Sequence, residues 1–257
     1  MKIFQFLLIL PVTFNILIAA DNNQSATWAD GSALIIEKGQ WEIGLFNPLS
    51  YGFSETIQIS THPLVFLQMP NVAVKKQWIT LNGYLLSSKH SLYYPTPLLN
   101  LIAKEGIGGF ISPEFEIPAM ISTINEIIVS KPLNTSGILS LKLAFAFSIG
   151  STDLDQRTSI DLPLLYQRLS VYHNGHYTKF GADYQSDSGK KLGIAVDIDY
   201  FILSNSNKHR AFEHKGLISY SKKKSRQILI GYKYISADYP FGQQQHLFPI
   251  IDLCWKW

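Results

Sequence analysis

Residues 139–149, LSLKLAFAFSI, alternate large apolar side chains with small or polar ones without a break. Because successive side chains of a β-strand point to opposite faces, this alternation predicts a strand with one bulky apolar face and one mostly small face. The fold depends on what covers the bulky face, either a protein core or the acyl chains of a membrane. The bulky side chains are Leu139, Leu141, Leu143, Phe145, Phe147 and Ile149, and those opposite are Ser140, Lys142, Ala144, Ala146 and Ser148.

Alternating segments of this kind fill most of the chain after residue 40. The mean hydropathy is high, at +0.07, and only 16% of the residues are charged, whereas roughly 25% is usual for soluble domains. Downstream of the N terminus no apolar run approaches the roughly 20 residues of a membrane helix. The predicted strands are 41–49, 54–61, 71–75, 78–88, 122–133, 139–149, 165–172, 176–185, 192–203, 215–221, 225–236 and 246–257.

Hydrophobicity distributed through many short alternating segments is typical of a membrane β-barrel. The sequence therefore predicts an all-β fold, a closed antiparallel transmembrane β-barrel of about twelve strands, with ten and fourteen as alternatives. An even number of strands places both termini on the same side of the membrane. The dipeptide Asn174-Gly175 predicts a hairpin between two of these strands.

A soluble barrel or sandwich would also alternate, but the faces opposite its core would meet water and carry many charges. Here those faces are mostly Ser, Ala and Gly, and Tyr and Trp recur near the strand ends, where membrane interfaces favour them. The few charges on the small faces fit a polar lumen and would be costly against lipid. The predicted lumen-facing residues are Lys142, Asp197, Asp199, Lys233, Asp252 and Lys256.

The N terminus has the layout of a secretory signal peptide, with Lys2, an apolar stretch and two alanines before Asp21. We expect residues 1–20 to be a cleaved signal peptide and residues 21–40 to be an N-terminal lead, whose polar start at 21–25 is short and flexible. Residues 41–257 then form the barrel. This arrangement predicts export from the cytoplasm.

The last predicted strand ends in an aromatic residue, with apolar residues at alternate positions before it. This ending resembles the C-terminal signal of Gram-negative outer-membrane β-barrel proteins, a class that the chain as a whole also resembles. The resemblance implies an outer-membrane location, contact with outer-membrane lipid and lipopolysaccharide, and recognition by the barrel insertion machinery. It identifies no family with a defined substrate. The residues that carry the signal are Ile251, Leu253, Trp255 and Trp257.

Residues 89–122 interrupt the strand pattern. Thr96 and Pro97 form a good helix start, so Leu98 to Lys104 are expected to form about two turns of helix. An insertion this long in a β-protein is usually functional or disordered, and its apolar residues argue against disorder. It either folds into the lumen as a constriction or packs against a barrel rim. With the predicted strand count, it emerges on the same side as the termini.

The sequence contains no motif for a metal, nucleotide or phosphate site. Cys254 is the only cysteine and the histidines lack zinc-ligand spacing. The basic run at 222–226 is interpreted as a solvated turn, so no nucleic-acid partner is expected. His173 and His176 flank the predicted hairpin, but a chance pair is favoured over a catalytic or metal site. Accordingly, no catalytic residue, metal or cofactor is predicted.

Three hypotheses for the function follow. The first is a channel or porin-like protein for small polar solutes, with the charged lumen residues lining the path. The second is an outer-membrane enzyme that modifies lipid or lipopolysaccharide, which needs a Ser/His or Asp/His cluster at one rim. The third is a structural or anchoring barrel without transport. The first is favoured, and the oligomeric state stays open.

Overall fold

The computed structural model describes residues 31–104, 111–133, 137–150, 154–155, 158, 175–187, 191–203, 210–223, 225–239 and 242–257. Within this part of the chain, twelve strands form a closed barrel. Each strand pairs antiparallel with its neighbours in sequence, and the first strand closes against the last. The predicted closed antiparallel barrel of about twelve strands is confirmed.

The strands differ greatly in length, so the wall is low at β1–β3 and high at β10–β12. The strands are β1 Trp41–Gly44, β2 Leu49–Gly52, β3 Ile57–Thr61, β4 Asn71–Leu81, β5 Tyr84–Tyr93, β6 Ile121–Leu133, β7 Gly137–Ile149, β8 His176–Asp187, β9 Leu192–Leu203, β10 Arg210–Lys223, β11 Arg226–Tyr239 and β12 Gly242–Lys256. A 3-10 helix covers Pro63–Val65 and one α-helix, α1, covers Thr96–Ile102. In the described residues, no helix is long and apolar enough to cross a membrane.

Side chains alternate between the two faces of the wall as the sequence pattern predicts. On β7, Ser140 and Lys142 are buried inside the barrel, while Leu141 on the outer face is 60% exposed. Other strands follow the same rule, with outward Ile218 61% and Ile251 62% exposed. Because a single-layer barrel has no second sheet to cover it, this bulky face forms the outer surface.

Several predicted strand boundaries in the first half of the chain are wrong. The predicted strand 41–49 is divided between β1 and β2 by a turn. The predicted strand 78–88 is in fact a hairpin, because Asn82 and Gly83 both have positive φ angles, 50° and 78°. This is the backbone that favours Asn-Gly in a two-residue turn between paired strands.

The hairpin predicted at Asn174-Gly175 is not among the described strand pairings of the barrel. Both edges of β8 are occupied, one by β7 and the other by β9, so no further strand can pair beside it. The predicted strand 165–172 and Asn174 lie outside the described residues. The predicted count was therefore right because one missed strand and one extra strand cancelled.

The same boundary errors reverse the predicted side of the insertion. β5 continues to Tyr93 and β6 begins at Ile121, so the insertion is 94–120 rather than 89–122. Five strands precede it instead of four, and it leaves the barrel at the end opposite the two termini. We call that end the loop end, and the end with Trp41 and Trp257 the terminal end. This matches the usual barrel arrangement, in which the long loops lie away from the termini.

Candidate functional site

Lysines and carboxylates from neighbouring strands meet inside the barrel. Lys142 Nζ on β7 lies 2.6 Å from Asp197 Oδ1 and 3.4 Å from Asp199 Oδ1, both on β9. Lys179 Nζ on β8 lies 2.7 Å from Glu126 Oε1 on β6 and 3.6 Å from Asp199 Oδ2. The free-energy cost of burying these charges is offset because each ion has a close counter-ion.

The same ion pairs extend to the neighbouring strand β10. Lys215 Nζ lies 3.7 Å from Asp197 Oδ2, and a separate pair joins Lys233 Nζ to Glu213 Oε2 at 2.7 Å. We use the name lumen network for these groups as a set. Its members are Glu126, Lys142, Lys179, Asp197, Asp199, Glu213, Lys215 and Lys233.

A glycine provides the space for the centre of this network. Gly181 on β8 is the cross-strand neighbour of both Lys142 and Asp199. A Cβ atom built on Gly181 would overlap Asp199 Oδ1 and lie 2.7 Å from Lys142 Cε. The absence of a side chain at this inward position therefore allows the lysine and the carboxylate to approach each other.

Four of the six residues predicted to face the lumen are members of the network: Lys142, Asp197, Asp199 and Lys233. Asp252 is 2% exposed and accepts a hydrogen bond from the Leu45 backbone N–H at 2.6 Å, which fixes the β1–β2 turn to β12. Lys256 is half-buried and is the cross-strand neighbour of Glu42. The prediction did not include the remaining network members, Glu126, Lys179, Glu213 and Lys215.

Residues 31–36 of the predicted lead pack inside the barrel at its terminal end, whereas Glu37, Lys38 and Gly39 are exposed. Ala33 is fully buried; its N–H donates to Ser130 Oγ at 2.7 Å and its carbonyl accepts from Ser87 Oγ. Ile36 is 1% exposed, and its N–H donates to Gln58 Oε1 at 3.1 Å. This segment, called the terminal plug below, crosses the lumen between several strands.

The described part of the insertion covers the lumen at the loop end. Leu99 on α1 and Met120 are almost fully buried in an apolar cluster with the inward-facing Ala144 and Ala146. Thr96 Oγ1 donates to the Pro118 carbonyl at 3.0 Å and accepts from the Met120 N–H at 2.9 Å. Of the two arrangements predicted for the insertion, this packing on inward-facing residues corresponds to the one that folds into the lumen. We call it the loop cap.

Beside the terminal plug the barrel interior holds a polar cavity of about 210 Å³, lined by Gly31 and Ile36 of the plug, by the β1–β2 turn and by strands on both sides. The lumen network forms one wall, and β1–β5 form the other. Lysines and carboxylates are nearly balanced in number around it. The lysines are Lys75, Lys89, Lys142, Lys179, Lys215 and Lys233, and the carboxylates are Glu42, Glu126, Asp197, Asp199 and Asp252.

A second polar cluster lies on the outer face of β4–β6, where its cross-strand neighbours are Val74, Ile127, Phe145 and one charged residue, Lys76. Ser88 Oγ lies 3.1 Å from His90 Nε2, and His90 Nδ1 lies 2.9 Å from Asn125 Oδ1. Trp78 Nε1 donates to Ser88 Oγ at 2.8 Å, and Asn125 Nδ2 donates to Thr123 Oγ1 at 3.3 Å. We call this chain of hydrogen bonds the outer relay.

The sequence contained part of the signal for the outer relay. Ser88 and His90 are two residues apart on a strand, so they share a face. Asn125 joins them only through the pairing of β5 with β6, in which it lies directly opposite His90. That register is set by strands more than 30 residues apart, and it was not predicted.

His176 and His62 make contacts that stabilise the fold. His176 packs against the Phe145 ring at 5.7 Å, and its predicted neighbour His173 lies outside the described residues. His62 Nε2 donates to the Phe46 carbonyl at 2.8 Å, which joins two loops. Across the described chain, no group of His, Cys, Asp and Glu residues could hold a metal ion.

Comparison with known proteins finds distant structural similarity only. No protein-family model and no curated protein sequence matches the chain. OprD of Pseudomonas aeruginosa is 12% identical with a TM-score of 0.44, over 88% of this chain and 62% of OprD. The CymD monoaromatic hydrocarbon channel is 10% identical with a TM-score of 0.36, over 84% of this chain and 50% of CymD. The chain thus spans less than two thirds of either protein, and these similarities assign it no function.

Proposed function

We propose that the protein is an outer-membrane β-barrel channel for small polar solutes. The outer face carries large exposed apolar side chains on most strands, as a lipid-facing surface requires. The charges lie inside, where they pair with one another and meet the cavity. The predicted signal peptide at 1–20 supports export to this location.

The observation that carries the proposal is the charged cavity at the centre of the barrel. The cavity of about 210 Å³ is large enough to hold several water molecules or a small solute. A solute of that size exchanges its hydration for contacts with lysines and carboxylates that are already oriented by their partners. Polar solutes are therefore favoured over apolar ones.

A second candidate, an anchoring barrel without transport, is supported by the two closures of the lumen. The terminal plug occupies one end and the loop cap the other. A solute that crosses the barrel requires at least a partial displacement of both. The channel proposal therefore predicts a small conductance for the intact protein and a larger one when a closure is removed.

Planar-bilayer recording of the refolded mature chain tests the proposal. Replacing residues 97–117 with a short Gly-Ser linker should remove the loop cap and increase the single-channel conductance. Lys142→Ala should make the channel more cation-selective, because it removes a positive charge from the lumen. Lys131→Ala is the matched control, since Lys131 lies on the outer face beside Tyr84 and should leave selectivity unchanged. No conductance from the intact or cap-deleted protein would instead support the anchoring barrel.

The proposal includes insertion by the outer-membrane assembly machinery through the last strand. Ile251 and Trp257 are more than 60% exposed on its outer face, and Leu253 and Trp255 are each 37% exposed. Deleting Trp257 should reduce the amount of heat-modifiable protein in the outer membrane. The control is a deletion of residues 21–30 that keeps the signal peptide. It shows whether a change elsewhere in the chain alters export.

A further inference from the structure

We propose that Ser88, His90 and Asn125 form a second site, a hydrolase site for the ester-linked acyl chains of membrane lipids. It lies on the outer face of the barrel and is separate from the lumen. The proposal therefore goes beyond transport and does not depend on it. Its basis is the geometry of the outer relay and the surface on which the relay lies.

The direction of each hydrogen bond in the relay is the one that a serine nucleophile needs. His90 Nδ1 lies against Asn125 Oδ1, which accepts, so Nδ1 carries the proton. His90 Nε2 is then an acceptor for the Ser88 hydroxyl at 3.1 Å. A serine next to the free nitrogen of an imidazole, with a third side chain fixing the tautomer, is how serine hydrolases are recognised on unrelated folds.

The third member suits a lipid-facing position. A carboxylate in that place would put an uncompensated charge on the outer surface, which is costly in hydrocarbon. The Asn125 amide orients His90 without carrying a charge. Its own N–H donates to Thr123 Oγ1 at 3.3 Å, so the amide orientation is fixed from both sides.

Local irregularity in β4 brings further donors to the serine. The ladder between β4 and β5 shifts register between Gln77 and Ile79, and bulges of this kind often re-aim a side chain at an active site. Trp78 lies in this shift, and its Nε1–H reaches Ser88 Oγ. Lys76 is the cross-strand neighbour of Ser88 and its Nζ lies 3.9 Å from the Trp78 ring centroid. When the indole moves aside, Lys76 supplies the hydrogen-bond donor for an oxyanion beside Ser88.

Trp78 also covers the nucleophile. Ser88 is 8% exposed, whereas the Trp78 side chain is 57% exposed and is attached to Ser88 through one hydrogen bond. A bound acyl chain takes the place of the indole ring against the apolar outer face. The site is thus shielded from water until an ester group lies next to Ser88 Oγ.

The reaction has two steps and consumes one water molecule. Ser88 Oγ attacks the ester carbonyl carbon while His90 Nε2 takes the hydroxyl proton, and that proton passes to the leaving alcohol as the C–O ester bond breaks. The acyl group is then bound to Ser88. Water attacks the acyl-serine with His90 as base, which releases the fatty acid and restores the Ser88 hydroxyl.

The test uses the full mature chain refolded into phospholipid vesicles that contain a fluorogenic acyl-ester phospholipid. Release of fatty acid and covalent labelling by a long-chain fluorophosphonate are both measured. The wild type should hydrolyse the lipid and label at Ser88. Ser88→Ala and His90→Ala should each reduce hydrolysis by roughly a thousandfold or more, and Ser88→Ala should abolish labelling.

Ser91→Ala is the matched control, since Ser91 is on the same strand but faces inward, and it should keep both activity and labelling. Heat-modifiable mobility of every variant shows that the barrel is folded. No hydrolysis and no labelling by a folded wild-type barrel would overturn the proposal. So would a Ser88→Ala variant that keeps wild-type activity, or hydrolysis restricted to a water-soluble ester.

Discussion

The inner and outer faces of this barrel both hold polar clusters, but they hold them by different means. Inside, Lys179 and Glu126 are ions with 1% and 8% of their side chains exposed, and they are 2.7 Å apart. Outside, Ser88, His90 and Asn125 are neutral groups joined by hydrogen bonds. The first cluster is held by opposite charges, the second by matched donors and acceptors.

Ion pairs form inside and neutral hydrogen bonds outside because the two faces differ in the number of polar neighbours within reach of a side chain. Strands from around the barrel converge on the lumen, so one lysine reaches carboxylates on different strands, as Lys179 reaches Glu126 and Asp199. An outward side chain has neighbours only along the sheet, and in the proposed membrane location lipid supplies no polar partner. Charges inside the barrel therefore pair with counter-ions, whereas the outer relay joins neutral groups, and the outward Lys76 and Lys131 lie over the rings of Trp78 and Tyr84.

The largest expected effect is the removal of one ion from the lumen network. Glu126→Ala leaves Lys179 buried with only the more distant Asp199, and breaking a buried pair in this way costs about 3–5 kcal/mol. The loss of free energy of unfolding is measured by urea titration of the protein in vesicles. The folded fraction at each urea concentration is read from the gel band that shifts on heating. Adding Lys179→Met to Glu126→Ala should recover most of it, because no unpaired charge then remains. Equal loss in the single and double variants would contradict the pairing.

A charge placed on the outer face tests the other half of the comparison. Leu141→Arg introduces a cation at an outward position that is 60% exposed, and near the middle of the membrane this costs about 2–4 kcal/mol. Leu133→Arg is the control, because Leu133 also faces outward but ends β6 at the terminal end. There the cost should fall to about 0–1 kcal/mol. The same urea titration measures both, and equal costs would contradict the proposed membrane orientation.

The two-residue alternation was sufficient to predict the barrel, because it depends only on which face of a strand each side chain occupies. The strand boundaries were less predictable, since they depend on turns. Asn82-Gly83 and Asn174-Gly175 have the same turn sequence, but the first joins β4 to β5, whereas β8, which follows the second, pairs with β7 and β9. The side on which the insertion emerges depends on every boundary before it, so one missed turn reversed it.

The candidate sites depend on register, which the sequence pattern specifies poorly. Alternation alone was enough to predict Lys142 and Asp197 inside the barrel. That they form a 2.6 Å ion pair depends on the pairing of β7, β8 and β9 across 55 residues of sequence. Lys179 and Glu126 were missed although they obey the same alternation, and so was Asn125, which meets His90 only across the β5–β6 ladder.

The smallest expected effect comes from uncoupling the outer relay. Asn125→Leu leaves the His90 Nδ1–H without its acceptor on a lipid-facing surface, and hydrogen bonds between side chains in membranes are worth about 1 kcal/mol. We expect that loss in the urea titration. Combining Asn125→Leu with His90→Leu should restore stability to near the wild-type value, because replacing both partners with apolar groups is nearly neutral.

The Asn125/His90 variants and the Glu126/Lys179 variants form two double-mutant cycles of the same design, and the expected coupling energies differ in size. In both, the single variant leaves a polar group without its partner and the double variant removes both groups. The coupling energy should be several times larger inside, where the orphaned group is a full charge. If the outer pair proved as strongly coupled as the inner one, His90 would have to carry a charge, and a neutral relay at Ser88 would be wrong.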